Sequence, residues 1–302
     1  MQNTSQLLMI KPVDFGFNAE TAVNNVFQSA TIEATQQNAL NEFNSFVTLL
    51  KDNGIHVTVI EDTPVPHTPD SIFPNNWISF HADGTIILYP MFAPNRRAER
   101  KQHVLDVIKN KFIVKQEIDL TKYENENLFL EGTGSMVLDR ENKIAYACLS
   151  PRTNEKVIEE FCTLRNYKTV TFTATDDNGI EIYHTNVMMC VADKFVVICL
   201  DSIIKHEERK KIIETITQTG KEIIEISQQQ LNAFAGNMLQ VINADNEKLL
   251  IMSTQAFNSL TVQQKDTLKR YNHILHSQLD TIEKAGGGSA RCMLAEIFLP
   301  LK

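Results

Sequence analysis

A hairpin, a helix and a strand follow one another between residues 136 and 173, and this order decides the fold. Residues 136–149 read MVLDRENKIAYACL, in which two β-rich runs flank the polar turn Arg140–Lys143. The next segment, Asn154–Arg165, has helical periodicity, and Thr169–Thr173 is again rich in β-branched residues. The sequence therefore predicts a compact unit of two strands, a helix and a third strand.

This alternation of strands and helices recurs about five times along the chain, at a spacing of about 60 residues. The predicted strands are Leu7–Val13, His56–Glu61, Thr85–Met91, Met136–Leu138, Lys143–Leu149, Thr169–Thr173, Val187–Val191, Lys194–Leu200, Glu222–Ile226, Met238–Ile242, Lys248–Met252, His273–Gln278 and Cys292–Phe298. The predicted helices are Ala34–Lys51, Arg97–Asn110, Asn154–Arg165, Lys205–Thr219 and Thr261–Asn272, with N-caps that include Thr153 and Thr261.

A second hairpin is predicted for Met238–Met252, with its turn at Asn243–Asn246. Sequence identity between the units is negligible, so the repeat is one of architecture. We predict a single α/β domain, residues 1–302, in which five such units close into one array. A two-domain α/β protein is the alternative.

Composition narrows the class of protein. With 302 residues, 43% of them hydrophobic, the chain can bury a full core, and its net charge of −8 argues against a nucleic-acid partner. The start of the sequence shows no secretory signal, and no run is long enough to predict a membrane span. Five cysteines without a CxxC pair predict neither disulfides nor structural zinc. We therefore expect a reduced, cytoplasmic protein.

The segment Gly286–Cys292, GGGSARC, is the sharpest chemical feature. Three consecutive glycines are costly in chain entropy, and they suit a loop whose backbone approaches a ligand closely. A cysteine directly after such a loop is well placed to be a partly exposed thiolate. The alternative is a glycine-rich turn followed by a core cysteine, which is how the apolar surroundings of Cys148, Cys162, Cys190 and Cys199 are interpreted.

A thiol nucleophile needs a proton acceptor, because free cysteine titrates near ~8.5. His184 opens an apolar run that is predicted to be a strand, where its side chain can face a cavity. Glu131 ends another apolar run just before Gly132, which suggests a carboxylate at a pocket. Taken alone, His184 also fits a structural histidine, and Glu131 also fits a solvated turn residue.

These residues and their surroundings resemble the guanidine-modifying, or pentein, superfamily. It includes arginine deiminase, dimethylarginine dimethylaminohydrolase, agmatine deiminase, succinylarginine dihydrolase and the glycine amidinotransferases. The resemblance covers the whole chain and is closest to the amidinotransferase-like branch proposed to act in citrulline utilisation. It is carried by Ile10–Asn18, Phe73–Ser79, Leu130–Gly134, Leu149–Asn154, Tyr183–Asn186, Ala233–Leu239 and Gly286–Cys292. The resemblance implies a five-bladed α/β propeller with pseudo-fivefold ββαβ units.

By that resemblance Cys292 is the nucleophile, His184 the acid and base, and Glu131 the carboxylate that holds the reacting group. The backbone at Gly287 is expected to lie against the substrate. Further positions match substrate-binding phrases of the dimethylaminohydrolases: Asp70 for the amino-acid end, and Arg152 and Arg96 as clamps for a substrate carboxylate. The alternative for both arginines is a surface ion pair.

Departures from the family pattern bear on the substrate. The acidic residue that binds the guanidinium in the dimethylaminohydrolases is replaced here by Asn76, beside Asn75. The His-x-Asp of the deiminases is replaced by His184-Thr-Asn186. A buried guanidinium without its carboxylates would cost roughly 3–5 kcal/mol for each broken pair. A neutral ureido group instead matches asparagine amides, which both donate and accept. We therefore favour a ureido substrate such as citrulline, although succinylarginine dihydrolase has a similar asparagine and processes a guanidino group.

The predicted activity is cysteine-dependent hydrolysis of a carbon–nitrogen bond in a small amino-acid substrate, without metal or organic cofactor. Three alternatives stay open: an amidinotransferase, an arginine-type deiminase or dihydrolase, and a noncatalytic propeller that serves binding. The last of these predicts loss of the Cys, His and Glu set, and all three are present. The oligomeric state is open, and a homodimer is one candidate.

Overall fold

The computed structural model describes residues 1–30 and 35–302. In these residues the strands are β1 (Gln6–Lys11), β2 (His56–Glu61), β3 (Ile78–Phe80), β4 (Thr85–Leu88), β5 (Gln116–Asp119), β6 (Met136–Asp139), β7 (Ile144–Cys148), β8 (Lys168–Phe172), β9 (Met189–Val191), β10 (Phe195–Ile198), β11 (Glu222–Glu225), β12 (Leu239–Ile242), β13 (Lys248–Ser253), β14 (His273–Ser277) and β15 (Ala295–Glu296). The α-helices are α1 (Ala19–Ala22), α2 (Thr35–Asp52), α3 (Pro94–Arg97), α4 (Gln102–Lys111), α5 (Gly132–Ser135), α6 (Glu155–Arg165), α7 (Thr185–Met188), α8 (His206–Gln218), α9 (Gln228–Asn232), α10 (Thr254–Ser259), α11 (Val262–Lys269) and α12 (Asp280–Gly286). Short 3₁₀ turns cover Pro74–Asn76, Thr121–Glu126, Leu200–Ser202 and Ala290–Met293.

The strands form five three-stranded sheets, each built in the same way. In the unit formed by residues 136–172, β6 and β7 pair antiparallel, with Met136 opposite Ala147. Helix α6 then crosses to β8, which pairs parallel to β7. The sheets β3–β5, β9–β11 and β12–β14 repeat this order, so the predicted ββαβ unit and both predicted hairpins are confirmed.

The fifth sheet joins the two ends of the chain. Strand β15 pairs antiparallel to β1, with Leu7 opposite Glu296, and β1 pairs parallel to β2. The first strands of neighbouring units meet around a common centre, where β15 contacts β3, β6 contacts β9, and β9 contacts β12. This closed array confirms the predicted five-bladed α/β propeller.

The crossover helices pack on their sheets through apolar stripes. Helix α2 buries Ala39, Phe43, Phe46, Val47 and Leu50, at the spacing of one helix face. Helix α6 begins at Glu155, and its N-cap is Asn154, whose side chain accepts a hydrogen bond from the Lys156 N–H, so the predicted N-cap Thr153 was wrong by one residue. The N-cap predicted at Thr261 is confirmed and forms a capping box with Gln264.

Several predicted boundaries differ from the structure. The predicted helix Arg97–Asn110 is interrupted, because α3 ends at Arg97 and α4 begins at Gln102. Ala34, the predicted first residue of the first helix, lies outside the described residues. Strands β3 and β5 were not predicted. No helix within residues 1–30 and 35–302 is long and apolar enough to span a membrane.

Candidate active site

A one-turn segment precedes the first strand of each unit, and these five segments meet at the centre of the fold. They are the 3₁₀ turn that contains Asn76, helix α5 after Glu131, helix α7 after His184, the turn that ends at Asn237, and the 3₁₀ turn that contains Cys292. The segments before β3, β6, β9 and β15 contact one another in pairs. Each unit thus supplies one polar or nucleophilic side chain to a single place.

The structure corrects two predictions about the elements that carry the site residues. Cys292 does not begin the last strand: it lies in the turn Ala290–Met293, and only Ala295–Glu296 is extended. His184 does not open a strand either, because it caps α7 with extended backbone and the strand begins at Met189. In both cases the apolar residues that indicated a strand fill the core from a helical turn.

A buried hydrogen bond joins His184 to Glu131. The His184 Nε2 lies 2.7 Å from the Glu131 Oε2, and the Phe92 N–H donates to the other oxygen at 2.9 Å. Burial raises the pKa of Glu131, but Arg152, the hydrogen bond with His184 and the charge of Arg96 together hold it below its usual range. Burial lowers the pKa of His184 to about 4, against the opposing effect of Glu131. The pair therefore places a neutral imidazole against an ionised carboxylate.

Cys292 is held by two asparagine amides. The Nδ2 of Asn237 lies 3.3 Å from its Sγ, and the Nδ2 of Asn186 lies 3.5 Å away. The thiol is 3% exposed, so the partly exposed thiol predicted from the sequence is wrong for this state of the protein. The amide N–H groups of two asparagines are thus directed at one sulfur.

Arg96 is bound by groups of the protein itself. Its guanidinium donates in a fork to Glu99, with N···O distances of 2.8 and 3.0 Å, and its Nη1 donates to the Asn76 Oδ1 at 2.9 Å. Burial raises the pKa of Glu99 to about 7, although the adjacent guanidinium opposes this. The Nδ2 of Asn76 is buried and has no hydrogen-bond partner among the described residues. Arg96 therefore fixes which end of the Asn76 amide is left open.

Asp70 and Arg152 are both covered by the segment around α1. The Asp70 Oδ2 accepts hydrogen bonds from Asn18 Nδ2 at 2.8 Å and Thr21 Oγ1 at 3.1 Å, whereas its Oδ1 has no partner within residues 1–30 and 35–302. Arg152 donates to Asn24 Oδ1 at 2.8 Å and to the Thr21 carbonyl at 2.7 Å. Burial outweighs the nearby cation Arg96, so the pKa of Asp70 is raised.

The glycine-rich loop approaches other side chains of the protein closely, and its predicted contact with the substrate stays a prediction. Gly287 has a φ of +64°, and a Cβ there would lie 2.4 Å from the Nδ2 of Asn25. Its carbonyl accepts hydrogen bonds from Tyr183 Oη at 2.5 Å and from Asn25 at 3.3 Å. Only glycine fits this position, so the loop is closely packed between the α1 segment and the residue before His184.

These groups surround a small pocket. Its lining includes Asp70, Asn76, Arg96, Arg152, His184 and Cys292, together with the backbone of Gly286–Gly288. Glu131 lies behind His184, and Asn186 reaches the pocket at the sulfur. Within residues 1–30 and 35–302, no group of three or more His, Cys, Asp or Glu side chains is placed to hold a metal ion.

The structure separates several alternatives that the sequence left open. Arg96 and Arg152 are 2% and 1% exposed, so the surface ion-pair interpretation was wrong. Glu131 is fully buried, which excludes a solvated turn residue. Asn75 is buried but turns away from the pocket, with its Nδ2 3.4 Å from Thr133 Oγ1.

Several residues of the site were not singled out in the sequence. They are Asn18, Thr21, Asn24, Asn25, Glu99, Tyr183 and Asn237. Three of them, Asn18, Tyr183 and Asn237, lie within the phrases that carried the superfamily resemblance. A search of those phrases for polar residues beside glycine would have found Asn237.

Comparison with known structures agrees with this architecture. The structure of ArgZ, an arginine dihydrolase from the ornithine-ammonia cycle in cyanobacteria, superposes with a TM-score of 0.77 at 18% identity, over 98% of this chain. The chain spans 41% of full-length ArgZ, and it covers 98% of the separate N-terminal domain of ArgZ in complex with substrate (TM-score 0.77, 17% identity). A dimethylarginine dimethylaminohydrolase adduct with 4-chloro-2-hydroxymethylpyridine gives a TM-score of 0.67 at 14% identity, with 98% of this chain and all of that chain covered.

Sequence comparison identifies the family. No curated protein sequence matches the chain. The family model for N,N dimethylarginine dimethylhydrolase, eukaryotic, matches residues 11–299, nearly the whole chain. This confirms the predicted superfamily and the predicted enzyme class, a hydrolase of carbon–nitrogen bonds. With five ββαβ units around a Cys, His and Glu centre, the chain belongs to the N,N dimethylarginine dimethylhydrolase family of the pentein superfamily.

Proposed function

We propose that this protein hydrolyses the ureido group of an amino acid, with citrulline as the favoured substrate, through a covalent adduct on Cys292. The observation that carries the choice of substrate is the orientation of the Asn76 amide. Arg96 donates to its Oδ1 at 2.9 Å, and this leaves the Nδ2 as the end without a hydrogen-bond partner in residues 1–30 and 35–302.

The N–H groups of the Asn76 amide distinguish a ureido substrate from a guanidino substrate. A guanidinium presents only N–H donors and would meet the Asn76 N–H groups donor to donor. A ureido group has a carbonyl oxygen that accepts from them. The Asn76 Nδ2 lies beside the His184 ring, because a Cβ on Gly134 would be 2.3 Å from the one and 2.8 Å from the other. The donor is thus close to the proposed acid and base.

The remaining open groups complement the N–H side of a ureido group. The Oδ1 of Asn186 and the Oδ1 of Asp70 are buried acceptors without partners among the described residues. The Nδ2 of Asn186 is directed at Cys292, which fixes its oxygen away from the sulfur. One donor and two acceptors therefore match a group with one carbonyl and several N–H bonds.

In the proposed reaction the neutral His184 accepts the thiol proton of Cys292, and the ionised Glu131 stabilises the imidazolium that forms. The sulfur attacks the ureido carbon. The tetrahedral species expels an amine, which takes the proton from His184, and a thiocarbamate adduct remains on Cys292. His184 then deprotonates a water molecule that attacks the adduct and restores the thiol. Decay of the released carbamate gives ornithine, carbon dioxide and ammonia in total.

Product stoichiometry tests this proposal. Purified protein is incubated with L-citrulline and with L-arginine in parallel, and ornithine and ammonia are measured. We expect ornithine from citrulline, with one ammonia for each ornithine. Turnover of arginine alone would contradict the argument from the Asn76 amide.

Hydrolysis of arginine is the second candidate function. It is favoured by the fold shared with ArgZ, an arginine dihydrolase. Complete hydrolysis of arginine releases two ammonia molecules for each ornithine, and a deiminase would stop at citrulline with one. Amidino transfer, a further alternative, would require an added amine acceptor and would leave ammonia unchanged. The same assay therefore separates all of these activities.

Replacement of Asn76 by aspartate tests the substrate class within the site. The change replaces the free N–H donor by a carboxylate oxygen, so we expect kcat/KM for citrulline to fall roughly 10- to 100-fold, the value of one hydrogen bond in a buried site. Activity on arginine should rise relative to citrulline. The matched control is Asn75→Asp, one residue away and directed at Thr133, which should leave the ratio of the two activities unchanged. An unchanged ratio in Asn76→Asp would contradict the proposed role of this amide.

A further inference from the structure

The five turns at the centre of the fold carry Asn76, Glu131, His184, Asn237 and Cys292. Of these five residues, Asn237 has no role in the reaction proposed above. It is fully buried, and it ends the turn before β12, the position that corresponds to Cys292 before β15. The turn is closed by the Asn237 N–H, which donates to the Phe234 carbonyl at 2.8 Å, and Phe234 has a φ of +60°. A non-glycine residue with positive φ is costly, which is consistent with a backbone held in place for the side chain that follows.

The orientation of the Asn237 amide is determined at both ends. Its Oδ1 accepts a hydrogen bond from the backbone N–H of Arg291 at 2.9 Å. Its Nδ2 donates to the Asn186 carbonyl at 2.8 Å and approaches Cys292 Sγ at 3.3 Å. Rotation of the amide by 180° would place its oxygen against the Asn186 carbonyl oxygen and its NH₂ group against the Arg291 N–H. The amide therefore presents an N–H to the sulfur in a fixed geometry.

We propose that Asn237 is a catalytic residue, and that its side-chain N–H stabilises the thiolate of Cys292 and aims the sulfur into the pocket. The proposal rests on the proposed role of Cys292 as nucleophile. A preorganised donor in a buried site costs no reorganisation when the charge forms, so it favours the anion more than water would. Asn237 also connects the turn of Cys292, through Arg291, to the helix that carries Asn186. One side chain thus links the turn of Cys292 to the backbone of Asn186, the other residue whose amide contacts the sulfur.

Other charged groups face the same pocket and must be kept constant in a test. Asp70, Arg96, Arg152, Tyr183 and His184 line it, and Glu131 lies behind His184. The neighbour of Cys292, Arg291, directs its guanidinium away, to Glu296 at 3.0 Å and to the Leu294 carbonyl at 2.8 Å. None of these groups is altered by a change at Asn237, so a difference between variants reports the asparagine.

The test is the pH dependence of alkylation of Cys292 by iodoacetamide in the full chain without substrate. Peptide mass spectrometry assigns the modification to Cys292, because the chain has four other free cysteines, which are buried as well. Asn237→Asp keeps the oxygen that accepts from Arg291 and replaces the donor by a second oxygen. We expect at least about a tenfold slower reaction at pH 7 and an alkylation midpoint displaced by about one unit or more to higher pH.

The matched control is Asn243→Asp, a buried asparagine in the β12–β13 turn that also keeps its acceptor oxygen. Its alkylation profile should superpose on that of the unchanged protein. An Asn237→Asp profile that also superposes, in a folded variant, would overturn the proposal even if turnover falls. Loss of citrulline hydrolysis does not enter this readout, so failure of the proposed substrate and failure of the thiolate role are distinguishable.

A second measurement uses the unaltered protein in case Asn237→Asp does not fold. With ¹⁵N-labelled asparagine, two side-chain amide signals, from Asn186 and Asn237, should titrate with the thiol. Both titrations should disappear in Cys292→Ser. Absence of any asparagine side-chain signal that depends on Cys292 would overturn the proposal.

Discussion

Replacement of Cys292 by alanine is expected to lower citrulline turnover by at least about 10⁴-fold, the scale observed when a covalent nucleophile is removed. In the proposed reaction the Cys292 sulfur forms the covalent bond from the protein to the substrate carbon. His184 and Glu131 can still activate water, but without the adduct the ureido carbon must be attacked in one step. Because the change removes a single buried atom, the cost in stability should be near 1 kcal/mol, and the variant should fold.

The matched control is Cys162→Ala. Cys162 is 3% exposed, as is Cys292, but lies in α6 away from the pocket. Turnover should be unchanged in this control. Intact mass spectrometry after rapid quenching should show a carbamoyl-sized adduct on the unchanged protein and none on Cys292→Ala. Retention of more than a tenth of the activity in Cys292→Ala would disprove the nucleophile.

The fold was predictable because its repeat is local. Each unit contains a hairpin with a polar turn, an amphipathic helix and one further strand, and these follow one another within the sequence. Strand β5, Gln116–Asp119, escaped notice because its residues are mostly exposed and polar, so alternation carries no apolar signal there. Strand β3, Ile78–Phe80, has only three residues, all of them buried, which is too short a run to indicate a strand. Strand β3 pairs with β4 in a hairpin, and β5 pairs with β4 after the helical crossover.

The closing sheet also depends on contacts that a sequence does not display. Strand β15 contains only Ala295–Glu296, and its partner β1 lies almost a full chain length away. The apolar residues within Cys292–Phe298 predicted a longer strand. Except for Phe298 they are buried in the folded protein, and burial of that kind does not require extended backbone.

Some residues of the site could be predicted from the sequence, and others could not. Cys292, His184 and Glu131 could be named because each stands beside glycines or an apolar run in a phrase shared with the superfamily. Asn237 stands in such a phrase too, but its role depends on which way its amide faces, and Arg291 and Asn186 determine that in the folded state. The burial of Arg96 and Arg152 could not be predicted either, since it depends on how the folded chain places the Glu131 carboxylate, 3.9 Å from one guanidinium and 3.6 Å from the other.

Replacement of Glu131 by glutamine is expected to have the second large effect, on both activity and stability. Its carboxylate lies 3.6 Å from Arg152 and 3.9 Å from Arg96, and it bonds His184 at 2.7 Å. Removal of the charge leaves the buried Arg152 without its carboxylate partner, whereas Arg96 keeps Glu99, at a cost of roughly 3–5 kcal/mol in the free energy of unfolding. Turnover should fall by about 10³- to 10⁴-fold, because the imidazolium that forms on His184 is no longer stabilised.

The dependence on pH distinguishes the lost charge from a lost contact. The pKa of Glu131 is below its ordinary value of 4.5 in the folded protein, so its contribution to stability is present above that pH and is lost as the pH falls. The stability difference between the unchanged protein and Glu131→Gln, measured by chemical denaturation, should therefore be largest near pH 7 and shrink below pH ~4.5. Glu131→Asp keeps the charge and should recover part of the stability with little of the turnover. Glu126→Gln, which alters an exposed pair with Lys156, should change neither quantity. A pH-independent stability difference in Glu131→Gln would show that the carboxylate acts by packing alone, and the proposed support of His184 would then have to be abandoned.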